Sequence, residues 1–175
     1  MVNFGNIPVY ALRFMVIYFI VTNAIAMALF PGGTLFHPEL EIYSFSENFF
    51  SDLGITFTKD GTQNYLSSFL FNSSLLVLGL CAVTHIFVPK LFKENKKSYI
   101  LSIIAAILFV IAGLSFIGVG LTPADIYFEE HVWFVIFAFN AQTIGVLFMT
   151  IAFLLSKVSN KYTICLLYTS PSPRD

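Results

Sequence analysis

The sequence predicts an all-α fold, a polytopic bundle of transmembrane helices with four spans present. Of the 175 residues, 57% are hydrophobic and only 11% are charged, whereas ordinary soluble domains carry about 25% charged residues. So few charged side chains leave too little polar surface to cover a water-soluble globule. Four apolar runs each approach or exceed the about 20 residues that a helix needs to cross hydrocarbon. The protein is therefore predicted to lie in a membrane.

The first predicted span covers residues 9–30. Pro8 suits the first turn of a helix, and the Pro31–Gly33 segment ends it. A signal peptide is the competing interpretation, because Ala24–Ala26 resembles a cleavage site. The apolar run is longer than the about 7 to 15 residues of a signal sequence, and the candidate cleavage site lies inside it. The pattern therefore favours a retained span.

Three further spans are predicted at residues 65–88, 99–121 and 131–156. Two polar loops, residues 31–64 and 122–130, connect the spans at one end. Because every span crosses the bilayer once, both loops are expected on the same membrane face. Their polar side chains are then able to converge on one site.

Positive and negative charges sort to opposite ends of these spans. Cytoplasmic loops carry an excess of Lys and Arg, which sets the orientation of a membrane protein. The bias predicts a multi-pass protein of the cell membrane with a cytoplasmic N-terminus and two extracytoplasmic loops. Up to residue 161, only Lys59 and Glu94 depart from this distribution. The basic residues on the predicted cytoplasmic side are Arg13, Lys90, Lys93, Lys96, Lys97, Lys157 and Lys161.

The last residues, 165–175, differ in character from everything before them. They match the in-frame translation of a transposase-based sequencing adapter, and we expect this tail to be non-native. The natural part is then a single membrane domain over residues 1–164. The same interpretation predicts that the chain is truncated and that later helices of a longer protein are missing.

The longest cluster of polar residues lies at Tyr43–Gly54. Ser44 and Glu47 have the spacing of a capping box, and Gly54 is the residue type that commonly follows a helix end. This pattern predicts a short helix over residues 45–53. Such a helix brings Asn48 and Asp52 together, because residues four apart share a face.

The candidate site combines this cluster with the second polar loop. Asp52, Asp125 and His131 carry groups suited to metal binding or to acid–base catalysis. No established catalytic or cofactor-binding motif surrounds them, so whether a metal binds stays open. The blander interpretation is favoured, in which Asp52 braces its loop and His131 begins the fourth span. The motif residues singled out are Ser51, Asp52, Gly54, Asn72, Pro123, Asp125 and His131.

Two further polar features accompany the spans. The Asn72–Ser74 tripeptide is formally a glycosylation sequon, but it lies inside the second span. It is therefore predicted to form hydrogen bonds between helices, and so are Asn23, Asn140 and Gln142. The lysines of residues 90–97 could attract anionic lipid, at about 1 kcal/mol for each residue near the surface. Setting the topology is the simpler role for these lysines.

The Tyr43–Gly54 segment, followed by Asn64 and Asn72, resembles an uncharacterised prokaryotic membrane family catalogued as domain of unknown function nine-nine-eight. The Gly118–Asp125 segment before His131 resembles a second landmark of that family. The resemblance spans about residues 9 to 156, and the Ser-Asp-x-Gly portion is also similar to the DRAM and Sfk membrane families. It implies six spans and an outer loop with a later histidine, and it implies no established reaction.

Three classes of function remain open. A lipid-interacting or structural membrane protein comes first, because it demands least of the residues. A hydrolase or transferase of lipid headgroups is the alternative, with His131 as the acid–base group and with Asp52 and Asp125 as metal ligands or orienting groups. A transporter is third, since no span has an acidic residue at mid-depth. Membrane lipids are the expected partners, nucleic acid is not, and the oligomeric state stays open.

Overall fold

The computed structural model describes residues 7–34 and 37–157. Its long helices are α1 at Ile7–Leu29, α2 at Tyr65–Val83, α3 at Lys96–Leu121 and α4 at Phe128–Leu154. All four are long and apolar enough to cross a membrane. Those two ranges of the chain contain no β-strand, apart from one isolated bridge between Phe57 and Gln63. The predicted all-α class with four spans is confirmed.

The helix ends lie within a few residues of the predicted boundaries. α1 ends before Pro31, where Gly32 and Gly33 have positive φ angles of 98° and 77°. α2 continues as a 3₁₀ helix over Thr84–Phe92, which contains Pro89. Because proline has no N–H and its ring clashes with the carbonyl four residues earlier, it disfavours regular α-helical geometry in this segment.

The predicted short helix over residues 45–53 is wrong. Residues 45–47 form a turn, and a 3₁₀ helix occupies only Phe50–Gly54. The side chain of Asn48 accepts a hydrogen bond from the Ser44 N–H, and that of Asp52 accepts one from the Phe49 N–H. Such side-chain bonds compete with helical ones, because they satisfy backbone groups in a non-helical conformation.

Contacts divide the chain into two compact units. The first unit, called the loop unit below, consists of Arg13–Leu78 and Phe116–Val135. Its core joins α1, α2, the end of α3 and the 3₁₀ helix Phe50–Gly54, which is called the 3₁₀ helix below. The Phe50 and Phe71 rings meet edge to face at 5.1 Å between centroids. The buried apolar residues of this core are Ala26, Phe30, Leu53, Ile55, Phe71, Leu75 and Val119.

The second unit combines Gly79–Ser115 with the described residues up to Leu12 and from Ile136 onward. In it Asn95 donates a hydrogen bond to the Leu155 carbonyl, at 2.8 Å. The aromatic rings of Phe92 and Phe153 pack edge to face, 5.1 Å apart. Its buried apolar core is formed by Phe92, Ala105, Phe109, Val146, Met149 and Ala152.

Candidate functional site

Asn48 connects three parts of the first loop. Its Oδ1 accepts the Ser44 N–H at 3.0 Å, and its Nδ2 donates to the Gly33 carbonyl and to Asp52 Oδ2, both at 3.1 Å. The residue is 8% exposed. These partners therefore replace the hydrogen bonds to water that the amide loses when it is buried. The expected pairing of Asn48 with Asp52 is present, although no α-helix holds it.

Asp52 is tied to its own loop. Besides the Asn48 amide, its Oδ2 accepts the Phe49 N–H at 3.0 Å. Burial, reinforced by the negative charge of Asp52, raises the pKa of the Tyr43 phenol above its usual value of 10.0. Asp52 therefore acts as a brace within the segment, as the blander interpretation requires.

The backbone that follows Asp52 is held by polar side chains of α2 and of Asn64, the residue just before it. Asn64, which is 2% exposed, donates to the carbonyls of Leu53 at 3.1 Å and Ile55 at 2.9 Å. Ser68 and Asn72 both donate to the Gly54 carbonyl, at 2.8 and 3.0 Å. The role of Ser67 and Ser68 was missed, although adjacent serines opening an apolar span were the available signal.

Asp125 joins the two polar loops. Both of its carboxylate oxygens accept the Thr56 N–H at 3.0 Å, and Oδ2 also accepts the Phe57 N–H at 3.0 Å. Hydrogen bonds from backbone N–H groups to a carboxylate are charge-assisted and stronger than neutral ones. One side chain of the second loop thus fixes the first loop just after the 3₁₀ helix.

His131 lies in the first turn of α4 and is 7% exposed. Its Nδ1 is 2.7 Å from the Thr122 carbonyl, and because a carbonyl only accepts, the proton is assigned to Nδ1. In the neutral ring Nε2 then carries the lone pair. Pro123 positions this residue indirectly, since its carbonyl accepts the Tyr127 N–H at the start of α4.

A turn places Lys59 beside these residues. Residues 59–61 form this turn, with Gly61 at φ 87° and its N–H donating to the Thr58 carbonyl. Hydrogen bonds from the Thr58 hydroxyl and from Thr62 lower the pKa of Asp60 below its ordinary value of 3.8. The stabilisation of the turn by the ionised Asp60 carboxylate is therefore fully present at pH values above this ordinary pKa. It is lost as the pH falls below it.

The loop unit contains a cavity of about 350 Å³, called the loop cavity below. Charged and polar side chains occupy part of its wall, and aromatic and aliphatic side chains occupy the rest. Pockets of this size with few polar groups on an apolar wall suit small organic ligands. Its polar side chains include Glu47, Ser51, Asp52, Lys59, Asp125 and His131, and its apolar ones are Phe49, Ile55, Ala124, Phe128, Val132 and Val135.

The predicted site residues therefore fall into two groups. Ser51, Asp52, Asp125 and His131 line the loop cavity, whereas Gly54, Asn72 and Pro123 support the backbone around it. Predicted bonds between helices are present at Ser73, which Tyr18 meets at 3.2 Å, and at Ser74, to which Asn23 donates at 3.0 Å. The same prediction is wrong for Asn140, which donates to the Ile136 carbonyl of its own helix.

Most charged groups of the loop cavity already have partners within the protein. Glu47 lies 3.4 Å from the His37 ring, while Asp52 and Asp125 accept backbone N–H groups. Over residues 7–34 and 37–157, no hydrogen bond or ion pair joins Asp52, Asp125 and His131 to one another. Nor does any group of three His, Cys, Asp or Glu side chains in those ranges have the geometry to hold a metal ion. Among the described residues, the Lys59 ammonium, the Ser51 hydroxyl and Nε2 of His131 keep free capacity in this cavity.

Four apolar helices and a mixed polar and apolar cavity beside their loops define a multi-pass helical membrane protein. No protein-family model, curated protein or solved structure matches the chain. The resemblance to the family of domain nine-nine-eight consequently stays a prediction based on its short motifs.

Replacing Asp125 by alanine is expected to release the Thr56 and Phe57 N–H groups. Hydrogen bonds to a charged acceptor contribute about 1.5 to 3 kcal/mol, so amide hydrogen exchange at these residues should accelerate by about 10- to 100-fold. Asp125→Asn keeps one oxygen acceptor and should give an intermediate rate. Glu129→Ala, at an exposed acidic residue nearby, is the control. Unchanged exchange in Asp125→Ala would show that the carboxylate does not hold the loop.

Proposed function

We propose that this protein is a lipid-binding integral membrane protein whose loop cavity holds the headgroup of a phospholipid. The observation that carries the proposal is the division of the cavity wall into a charged part and an apolar part. An amphipathic ligand matches both parts at once, whereas a fully polar solute leaves Phe128, Val132 and Val135 without contact. Lipid is also the most abundant amphipath around a membrane protein.

The charges favour a zwitterionic headgroup that carries an amine. Glu47, Asp52 and Asp125 outnumber Lys59, which is the cavity's single lysine. A phosphate pairs with the Lys59 ammonium, which has no partner within residues 7–34 and 37–157, and an amine is attracted by the carboxylates. In the neutral His131 ring, Nε2 can accept a hydrogen bond from that amine, because it has no partner in the described chain. Phosphatidylethanolamine combines these features.

The charge distribution along the chain supports an extracytoplasmic position for this cavity. Lysines concentrate in residues 90–97, between α2 and α3, and the acidic residues concentrate in the loops that form the cavity. We assign the N-terminus to the cytoplasm on this basis. The lipid would therefore enter from the outer leaflet of the cell membrane. Membership of the family of domain nine-nine-eight is part of the same proposal.

A lipid-headgroup hydrolase or transferase is the second candidate. Ser51 and His131 line one cavity, which is the observation in its favour. Such chemistry needs His131 to be oriented by a carboxylate or to meet a nucleophile. The Nδ1 of His131 instead bonds a carbonyl, and Asp52 and Asp125 bond backbone amides. This arrangement favours binding over catalysis.

A transporter would need a polar path at mid-depth past Asn23, Asn72 or Asn140. Asn23 bonds the Phe19 carbonyl and Ser74, and Asn72 bonds the Gly54 carbonyl. Asn140 donates to the carbonyl of Ile136 in its own helix. The loop cavity includes none of these three amides. Transport therefore has the weakest support.

Filling the cavity tests the proposal. Val132 lines it and is 37% exposed, so Val132→Trp adds bulk at a site that can accept it. We expect retention of phosphatidylethanolamine, measured by native mass spectrometry after purification from vesicles of that lipid and phosphatidylcholine, to fall about tenfold, or about 1.4 kcal/mol. Val21→Trp, at an exposed residue of α1 outside the cavity, should retain the lipid. Equal retention by both variants would refute the proposal.

The same preparation separates binding from catalysis. If the wild type releases the ethanolamine headgroup and His131→Gln does not, the protein is a hydrolase rather than a binding protein. Retention without headgroup release supports the binding function.

A further inference from the structure

The second unit contains a groove of about 380 Å³ between the 3₁₀ helix Thr84–Phe92 and α3. No residue lines both this groove and the loop cavity. One wall is formed by Tyr99, Ile103, Ile107 and Ile111, which recur at intervals of four residues along α3. Such spacing places them in one row on the helix surface.

The row has the length of one lipid chain in one leaflet. From Tyr99 to Ile111 the helix rises about 18 Å, at about 1.5 Å for each residue. Half of a bilayer's hydrocarbon core is about 15 Å thick. An acyl chain lying along the row therefore contacts the isoleucines over nearly the whole depth of the leaflet. Ile107 and Ile111 are 56% and 43% exposed, so the row is open to such a chain.

The polar end of the groove carries Lys90 and Tyr99. The Lys90 ammonium lies 5.2 Å from the centroid of the Phe87 ring, an arrangement that holds a cation in place without neutralising it. Within the described residues Lys90 has no ion pair, and the Tyr99 hydroxyl has no hydrogen bond. Both groups are free to bind a phosphate.

The charge around the groove favours a ligand of negative charge. Residues 90–97 contain Lys90, Lys93, Lys96 and Lys97 against the single acidic residue Glu94. No ion pair to any of these lysines is present in the part of the chain that the structure describes. Each lysine close to a membrane surface increases binding of anionic lipid about fivefold. A zwitterionic lipid gains much less from the same charges.

We propose that this groove is a binding site for an anionic phospholipid, with an acyl chain along the isoleucine row and the phosphate at Lys90 and Tyr99. The site is independent of the loop cavity and of its proposed function. It prefers an anionic headgroup rather than the zwitterionic one proposed for the loop cavity, because its charged side chain is a lysine whereas carboxylates predominate in the loop cavity.

The test uses the full chain in vesicles that contain equal amounts of phosphatidylglycerol and phosphatidylcholine. We expect purified protein to retain phosphatidylglycerol at least fivefold over phosphatidylcholine, as measured by native mass spectrometry. Lys90→Gln should lower this preference about fivefold. Lys157→Gln, at an exposed lysine outside the groove, should leave it unchanged. Equal retention of both lipids by the wild type would overturn the proposal.

A second variant distinguishes lipid binding in the groove from attraction of lipid by diffuse surface charge. Ile107→Trp fills the groove and keeps every lysine, so it should reduce phosphatidylglycerol retention while the thermal midpoint in detergent stays near that of the wild type. Full retention in Ile107→Trp, or an equal loss in Lys157→Gln and Lys90→Gln, would mean that surface charge alone attracts the lipid, and would refute the groove. Retention of phosphatidylethanolamine should be unaffected by Lys90→Gln.

Discussion

Alanine in place of Gly54 is expected to destabilise the protein by about 3 kcal/mol, the upper end of the usual cost of overpacking. A Cβ at this position would lie 2.6 Å from Cδ1 of Phe71 and 2.8 Å from Oδ1 of Asn72. Phe71 is 3% exposed and packs in the core of the loop unit, so its ring cannot move aside without disturbing that core. Displacing Asn72 would also break its bond to the Gly54 carbonyl.

Thermal unfolding in detergent, followed by circular dichroism, measures this effect. Gly61→Asn is the matched control, because Gly61 has no atom within 4 Å of an added Cβ and asparagine tolerates its positive φ. The control should unfold close to the wild type. A Gly54→Ala midpoint equal to that of the control would show that the close approach of the 3₁₀ helix to α2 is not required.

The isosteric change Asn64→Asp is expected to cost about 3 kcal/mol or more. The Asn64 amide donates to the carbonyls of Leu53 and Ile55 in a site that is 2% exposed. An ionised carboxylate has no proton to donate, so it would face two carbonyl oxygens and leave both unsatisfied. Each buried group that loses its partner costs about 1 to 3 kcal/mol, and a buried charge costs more.

The corresponding control is Gln63→Glu, which makes the same chemical change at an exposed neighbour. Denaturant unfolding in detergent at neutral pH should show a lower free energy of unfolding for Asn64→Asp alone. Because a protonated carboxyl regains one donor, part of the loss should be recovered at acidic pH. Equal stability of the two variants would contradict the assigned role of Asn64.

Local sequence patterns predicted part of the site correctly. The spacing of Asn48 and Asp52 predicted their contact, and the shared membrane face of the two loops predicted that side chains of both loops could converge. The predicted α-helix around them failed, because capping signals do not reveal that Asn48 has a better partner in the Gly33 carbonyl. That contact crosses 15 residues of chain, and short-range patterns contain no information about it.

Gly54 shows that side-chain packing is also beyond what short-range sequence patterns predict. Its position suggested a helix end, for which a left-handed conformation is the usual reason. Its φ angle is not among the positive ones, and glycine is required instead because Phe71 and Asn72 approach it closely. A requirement imposed by residues 17 and 18 positions away is a property of the folded chain.

The amino-acid sequence by itself determined that this is a helical membrane protein, where the four spans of its described residues lie and which residues interrupt them. These properties depend on apolar content and on the backbone restrictions of proline and glycine, which act locally. Tertiary structure alone decided which polar groups are committed and which stay free. Asp52 and Asp125 are engaged by backbone amides, whereas Lys59 and Nε2 of His131 have no partner among the described residues. Hydrogen-bond partners depend on atoms brought together by folding, and so the chemistry of the cavity follows from the tertiary contacts.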